Sequence, residues 1–218
     1  MTMAPEAPEQ SGYAINVIER RDVEDYASGH LRDSEIINRV EEALLEDDAA
    51  REVVRAKLRE CGNRHPETQG LLFEALQDLH TTAHSCAALA GMYERLARHA
   101  EKASVSRFLE GRRSAFGQCG ELLSRPLKEQ PAEIPDTWPE QSVLLARESL
   151  ESLVRQLGES PAEAIHDLDD LHAPVMLGLR TLVHLPWPLE TKLLIADVYG
   201  LLRDELESGA WRLSHGAG

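Results

Sequence analysis

The amino-acid sequence predicts an all-α fold in which four long helices form a bundle, with a helical extension before it. The chain of 218 residues contains 32 leucines and 25 alanines, but only 18 valines and isoleucines together. This composition favours helices, because strands prefer β-branched and aromatic residues. Apolar residues also recur every three or four positions along several long segments, which is the pattern of a helix with one buried face. A proline-rich segment lies between two pairs of such helices.

The first part of the chain predicts a helical extension. Residues 1–12 are polar and contain prolines, so we expect a disordered tail. Residues 13–65 form the predicted N-terminal helical extension. Within it, the apolar pattern of residues 13–32 is too short to distinguish between a strand, a helical turn and a docking segment. Asp33 predicts an N-cap, and the apolar spacing behind it predicts either two short helices or one bent helix over residues 34–61.

Residues 66–210 form the predicted four-helix bundle, and residues 211–218 a C-terminal tail. The first hairpin joins a helix with an apolar seam from Leu72 to Ala97 to a second with a seam from Val105 to Leu123. Four prolines in residues 125–141 then predict a long crossover, which carries a short helix over residues 141–157. Ser160 and Pro161 predict the start of a third helix, with a seam that extends to Leu182. The fourth helix is predicted from Leu189 to about Glu207.

Composition and motifs disfavour several functional classes. The formal net charge of −15 argues against a general affinity for nucleic acid or anionic membranes. No apolar run approaches the roughly 20 residues that span a bilayer, and no signal peptide is recognisable at the start. Three cysteines without a C-x-x-C spacing are typical of a reducing cytoplasm, which is the predicted location. No phosphate-binding glycine loop or nucleophile arrangement is present, so no catalytic residue is predicted. The sequence leaves open whether the protein is an enzyme and favours a non-enzyme.

The two predicted hairpins resemble an uncharacterised bacterial family of ferritin-like four-helix-bundle domains. The resemblance lies in Leu76–Leu79, Arg107–Phe116 and Glu121–Leu123 of the first hairpin. In the second hairpin it lies in Ser160–Ile165, the turn Leu185–Pro188 and residues Glu190–Leu206, so that it covers roughly residues 70–208. It implies a ferritin-like closure of the bundle by one long crossover, a bacterial origin and an association with stress. Ferritin-like di-metal proteins use two Glu-x-x-His pairs. This chain has one, Glu163–His166, predicted on a solvated helix face.

Three ionisable residues, Arg112, His172 and Glu205, occupy apolar seams on three different helices. Buried charges are costly without partners, so we expect these side chains to find them. One interpretation is a buried polar network of Arg112, His172 and Glu205, with no cofactor. The alternative is a site for Fe or Mn, with ligands from His172, Glu205, Glu94 and His80. The fixed positive charge of Arg112 raises the cost of binding a cation nearby and favours the network.

Cations are concentrated in residues 95–128, which carry a local charge of +5. A basic patch is predicted from Arg95, Arg98, Lys102, Arg107 and Arg113.

Three functional hypotheses follow. The preferred one is a non-catalytic accessory protein that associates with itself or with a protein partner. The second is a ferritin-like metal-binding protein that stores iron or acts as an oxidase. The third is a protein that binds anions or nucleic acid through the basic patch.

Overall fold

A computed structural model of the chain describes residues 18–61, 73–128, 152–156 and 159–215. Within these residues the regular structure is helical and no strand occurs, so the all-α prediction is confirmed. The helices are α1 (Arg20–Ala27), α2 (Ser34–Glu46), α3 (Asp48–Cys61), α4 (Phe73–His99), α5 (Ala103–Lys128), α6 (Pro161–Asp170), α7 (Ala173–Val183) and α8 (Leu189–His215). The predicted tail at residues 1–12 lies outside the described residues.

The N-terminal extension consists of three short helices that contact one another. The undecided segment contains α1, which ends before Gly29 in a left-handed conformation, φ +70°. Asp33 caps α2, since its carboxylate accepts hydrogen bonds from the amides of Glu35 and Ile36 at 2.9 and 3.3 Å. Asp47 separates α2 from α3: its backbone is extended and its carboxylate accepts from the amide of Ala49 at 2.8 Å. Two helices, and not one bent helix, therefore fill this segment.

Four helices contact one another in a closed ring, in which α4 packs on α5, α5 on α8, α8 on α7 and α7 on α4. The contact between α4 and α5 is the most extensive. The predicted seams face the interior, and Leu79, Cys86, Leu109, Phe116 and Leu179 are each fully buried. The extension packs against this ring mainly through α2, which contacts both α7 and α8.

Three predicted boundaries differ from the structure. The third long helix is interrupted at Leu171–His172, because Pro174 stands at the start of α7 and cannot donate the backbone hydrogen bond that a continuous helix needs there. Helix α5 continues through Pro126 to Lys128, since a proline so close to the end disturbs the final turn only. Helix α8 continues to His215, beyond the predicted end at Glu207. Of the predicted short helix in the crossover, residues 152–156 are helical, and residues 141–151 and 157 lie outside the described residues.

The close approach of α4 and α5 depends on Gly120. A Cβ atom at this position would lie 3.1 Å from the Ala83 carbonyl oxygen and 3.4 Å from the Ala87 amide nitrogen. We therefore expect Gly120→Ala to destabilise the protein, because overpacking costs about 1–3 kcal/mol and outweighs the better helix propensity of alanine. Urea denaturation measures the change.

The matched control is Gly91→Ala on α4, where an added Cβ would meet nothing within 4 Å. This change is expected to stabilise the protein by about 0.5–1 kcal/mol through helix propensity alone. Equal stability of the two variants would contradict the close approach at Gly120.

Candidate functional site

A cluster of aromatic and ionisable side chains lies inside the ring of four helices. Tyr93 comes from α4, Arg112 and Phe116 lie one turn apart on α5, and His172 stands at the break between α6 and α7. The ring of Phe116 stacks on the imidazole of His172 with centroids 4.9 Å apart, and on the ring of Tyr93 at 5.7 Å. The hydroxyl of Tyr93 is hydrogen-bonded to Nε2 of His172. The seam spacing on α5 places Arg112 in this core, where it is only 1 % exposed.

The guanidinium of Arg112 makes few hydrogen bonds with the described residues. Its Nη2 donates to the carbonyl oxygen of Leu206 at 3.1 Å, and its Cζ lies 5.1 Å from the centre of the Phe108 ring. Nε and Nη1 are buried and have no acceptor among the described residues. Glu205 is half-buried beside α5. Its Oε1 is close to Gly111, since a Cβ atom added to that glycine would lie 3.5 Å from it. No ion pair between described residues includes Arg112 or Glu205.

His172 shares this core with Arg112. Burial and, to a smaller extent, the positive charge of Arg112 lower the pKa of its imidazole from 6.5 to about 3. The imidazole is therefore neutral at neutral pH. The structure thus brings together Arg112 and His172 of the predicted polar network, while Glu205 lies beside the neighbouring Gly111.

The other predicted metal ligands lie elsewhere. His80 and Glu94 line an outer groove on α4, where the ring of His80 faces His84 at 6.3 Å and Glu94 forms an ion pair with Arg98. Within the described part of the chain, no three His, Cys, Asp or Glu side chains form a group that could hold a metal ion. Cys86 and Cys119 are buried, which raises the pKa of each thiol to about 12 and disfavours the nucleophilic thiolate.

The neutral His172 predicts a specific loss of stability in acid. An unfolded histidine takes up a proton near the ordinary value of 6.5, whereas His172 in the folded protein does so only near 3. Between these values the unfolded chain binds one proton more, so the free energy of unfolding falls as the pH falls, by up to about 1.4 kcal/mol per pH unit. We expect His172→Gln to reduce this slope below pH 6.5. Denaturant unfolding at several pH values measures it.

The control for this prediction is His166→Gln, which replaces an exposed histidine on α6. Its slope should match that of the wild type. An unchanged slope in His172→Gln would mean that His172 titrates in the same way in the folded and unfolded chains.

A second polar network, which the sequence pattern did not predict, joins the extension to the bundle. Glu41 of α2 is 3 % exposed and receives hydrogen bonds from three other elements. Its Oε1 accepts from the Tyr26 hydroxyl at 2.9 Å and from the ammonium of Lys192, which is itself buried. Its Oε2 lies 3.0 Å from Nδ1 of His184. Burial and the charge of Glu41 raise the pKa of Tyr26.

Glu42 extends this network towards the surface. Its Oε1 lies 2.9 Å from Nε2 of His184, and its Oε2 accepts from Arg180 at 2.7 Å. Partial burial raises the pKa of Glu42, but the hydrogen bonds from Arg180 and His184 outweigh it and leave the pKa below 4.5. The two ring nitrogens of His184 thus each lie within hydrogen-bond distance of a carboxylate of α2. The polar contacts of Glu41 and Glu42 hold the extension to α7 and α8.

Arg51 forms a third polar contact between the extension and the bundle. Its Nη1 donates to the carbonyl oxygens of Leu44 and Leu45 at 2.7 and 3.1 Å, at the end of α2. The same guanidinium pairs with Asp48, and its Nε lies 3.6 Å from Asp197 of α8. Although Arg51 is only 5 % exposed, its charge is therefore well compensated.

A groove of about 810 Å³ runs between α4 and α5, and the described residues that line it all belong to these two helices. Small residues, among them Ala83, Ala87, Gly117 and Gly120, lie along it. Ionisable and polar side chains line it as well: His80, His84, Glu94, Arg113, Gln118, Glu121 and Lys128. All five cations of the predicted basic patch are exposed, and Arg113 is the member that lines the groove.

No protein-family model, curated protein or solved structure matches this chain. Among the described helices, none is both long enough and apolar enough to cross a membrane.

Proposed function

We propose that the protein is a non-catalytic helical-bundle interaction protein that associates with a second copy of itself through the groove between α4 and α5. The bundle would be ferritin-like, with α4–α5 and α7–α8 as two hairpins joined by the long crossover. The fixed charge of Arg112 beside His172 supports a polar network in its core in preference to a cation site. The observation that carries the proposal is the arrangement of charges along the groove.

Glu94 and Arg113, which carry opposite charges, stand at matching heights on the two walls of the groove. A Cβ atom added at Gly117 would lie 3.9 Å from the Cβ of Ala90, and one at Gly120 would lie 3.1 Å from the Ala83 carbonyl oxygen. These approaches give the register of the antiparallel helices. This register places Glu94 of α4 level with Arg113 of α5, and His84 level with Glu121. All four side chains line the groove. Glu94 and Arg113 do not form an ion pair with each other, since Glu94 pairs along its own helix with Arg98.

A second copy can bring these charges together. A two-fold axis along the groove lays α4 of one copy over α5 of the other at the same height. Glu94 then meets the second copy's Arg113, and symmetry repeats the contact, as in an isologous interface. The small residues along the groove allow the helices of the two copies to approach closely. The groove therefore fits a second copy in both charge and shape.

A charge exchange tests this interface. The full chain is expected to be a dimer by size-exclusion chromatography with light scattering, and Arg113→Glu to be a monomer because it places like charges opposite each other. Combining Arg113→Glu with Glu94→Arg restores opposite charges and should restore the dimer. Arg107→Glu, at another exposed position on α5, is the matched control and should remain dimeric. A monomeric wild type, or a double variant that stays monomeric, would exclude this interface.

A further inference from the structure

The buried guanidinium of Arg112 is the feature that neither the self-association nor the packing of the bundle explains. It is 1 % exposed, and its Nε and Nη1 have no acceptor among the described residues. Buried charges in proteins are normally paired, because leaving one without a counter-charge costs several kcal/mol. Among the described residues, the other buried cations are Arg51 and Lys192, which follow that rule with Asp48 and Glu41. Arg112 differs from them, since the one acceptor it has in the described part of the chain is a carbonyl oxygen.

A second positive feature lies at the same place, the N-terminal end of α7. His172 is the N-cap residue of this helix. Pro174, in the first turn, has no amide hydrogen to donate. The first turn of a helix carries a partial positive charge and favours anions. The His172 ring stacks on Phe116, one turn along α5 from Arg112, so the helix end and the guanidinium are neighbours.

We propose that Arg112 and the N-terminal end of α7 form a binding site for a small oxyanion, of the phosphate or carboxylate class. Nε and Nη1 of Arg112 donate to the anion, while Nη2 remains on the Leu206 carbonyl oxygen and fixes the guanidinium. Phe108 and Phe116 keep water from the charge, and a charge-assisted hydrogen bond is stronger in such surroundings. Ala173 and Pro174 are exposed, so the end of α7 reaches the surface where the anion enters.

Titration calorimetry and thermal unfolding of the full chain test this site, with inorganic phosphate and acetate as separate probes. Sodium chloride at the same ionic strength provides the baseline for general salt effects. We expect at least one of the two oxyanions to bind and to raise the melting temperature above that baseline. A response to phosphate alone identifies a phosphate-class ligand, and a response to acetate identifies a carboxylate.

Three variants separate this site from the exposed basic residues. Arg112→Met should abolish binding, and Arg112→Lys, which keeps a buried cation, should weaken it at least tenfold. Arg107→Met removes an exposed cation on the same helix and should bind as the wild type does. The proposal is overturned if neither oxyanion binds to the wild type, or if Arg112→Met and Arg112→Lys both bind as well as Arg107→Met.

Discussion

Glu41→Ala is expected to lower the free energy of unfolding by about 3–5 kcal/mol, which is the usual cost of removing one partner of a buried ion pair. The variant leaves the ammonium of Lys192 buried without its carboxylate, and the hydroxyl of Tyr26 without its acceptor. It also removes one of the two carboxylates that hold His184. Chemical denaturation monitored by circular dichroism measures the loss.

Two further variants make this result specific. Glu35→Ala, on the same helix, breaks an exposed pair with Arg39 and should cost only about 0.3–0.5 kcal/mol. Combining Glu41→Leu with Lys192→Met replaces both buried charges by apolar groups and should recover much of the stability. A loss in Glu41→Ala no larger than in Glu35→Ala would show that the buried pair contributes little to holding α2 against α8.

Arg112→Met is expected to have the opposite effect and to raise the free energy of unfolding in the absence of an oxyanion, by about 1–4 kcal/mol. Methionine fills a similar length of the core without burying a charge or the two donor nitrogens, Nε and Nη1, that have no acceptor among the described residues. Thermal and urea unfolding in a buffer without phosphate or carboxylate measures the gain.

Arg51→Met is the comparison for this prediction, because the guanidinium of Arg51 is equally buried but fully engaged. It should destabilise the protein, since Asp48, Asp197 and two carbonyl oxygens lose their donor. If Arg112→Met also lowers stability, the guanidinium of Arg112 makes a favourable interaction in the folded protein without any ligand.

The helices of the bundle were largely predictable from the sequence, because the seams of α4 and α5 repeat over many turns. Where a single residue decides whether a helix continues, the apolar repeat did not predict the result. The apolar spacing from Ile165 to Leu182 continues across the break at His172, but the missing amide hydrogen of Pro174 prevents a continuous helix. At Pro126 the helix continues where the prolines predicted a connector, because a proline in the last turn of α5 disturbs that turn alone.

The polar residues were predictable in part. Arg112 and His172 stand in seams, and that signal correctly indicated their burial. The same signal was present in α2, where Glu41 follows Ile37 by four residues and precedes Leu44 by three. The apolar pattern cannot predict which cation pairs with Glu41. Lys192 is 151 positions away along the chain, and only the packing of α2 against α8 brings the two together.

That separation in sequence has a consequence for how the chain folds. Helices α4 and α5 are joined by residues 100–102 and share the most extensive contact, so they can pair early, because contacts between neighbouring segments form fastest. The extension is synthesised first, yet Lys192 and Asp197 leave the ribosome only after most of the chain has been made. During that interval the apolar faces of α2 and α3 lack their docking surface, and the nascent chain depends on its charged residues, or on a chaperone, to avoid aggregation.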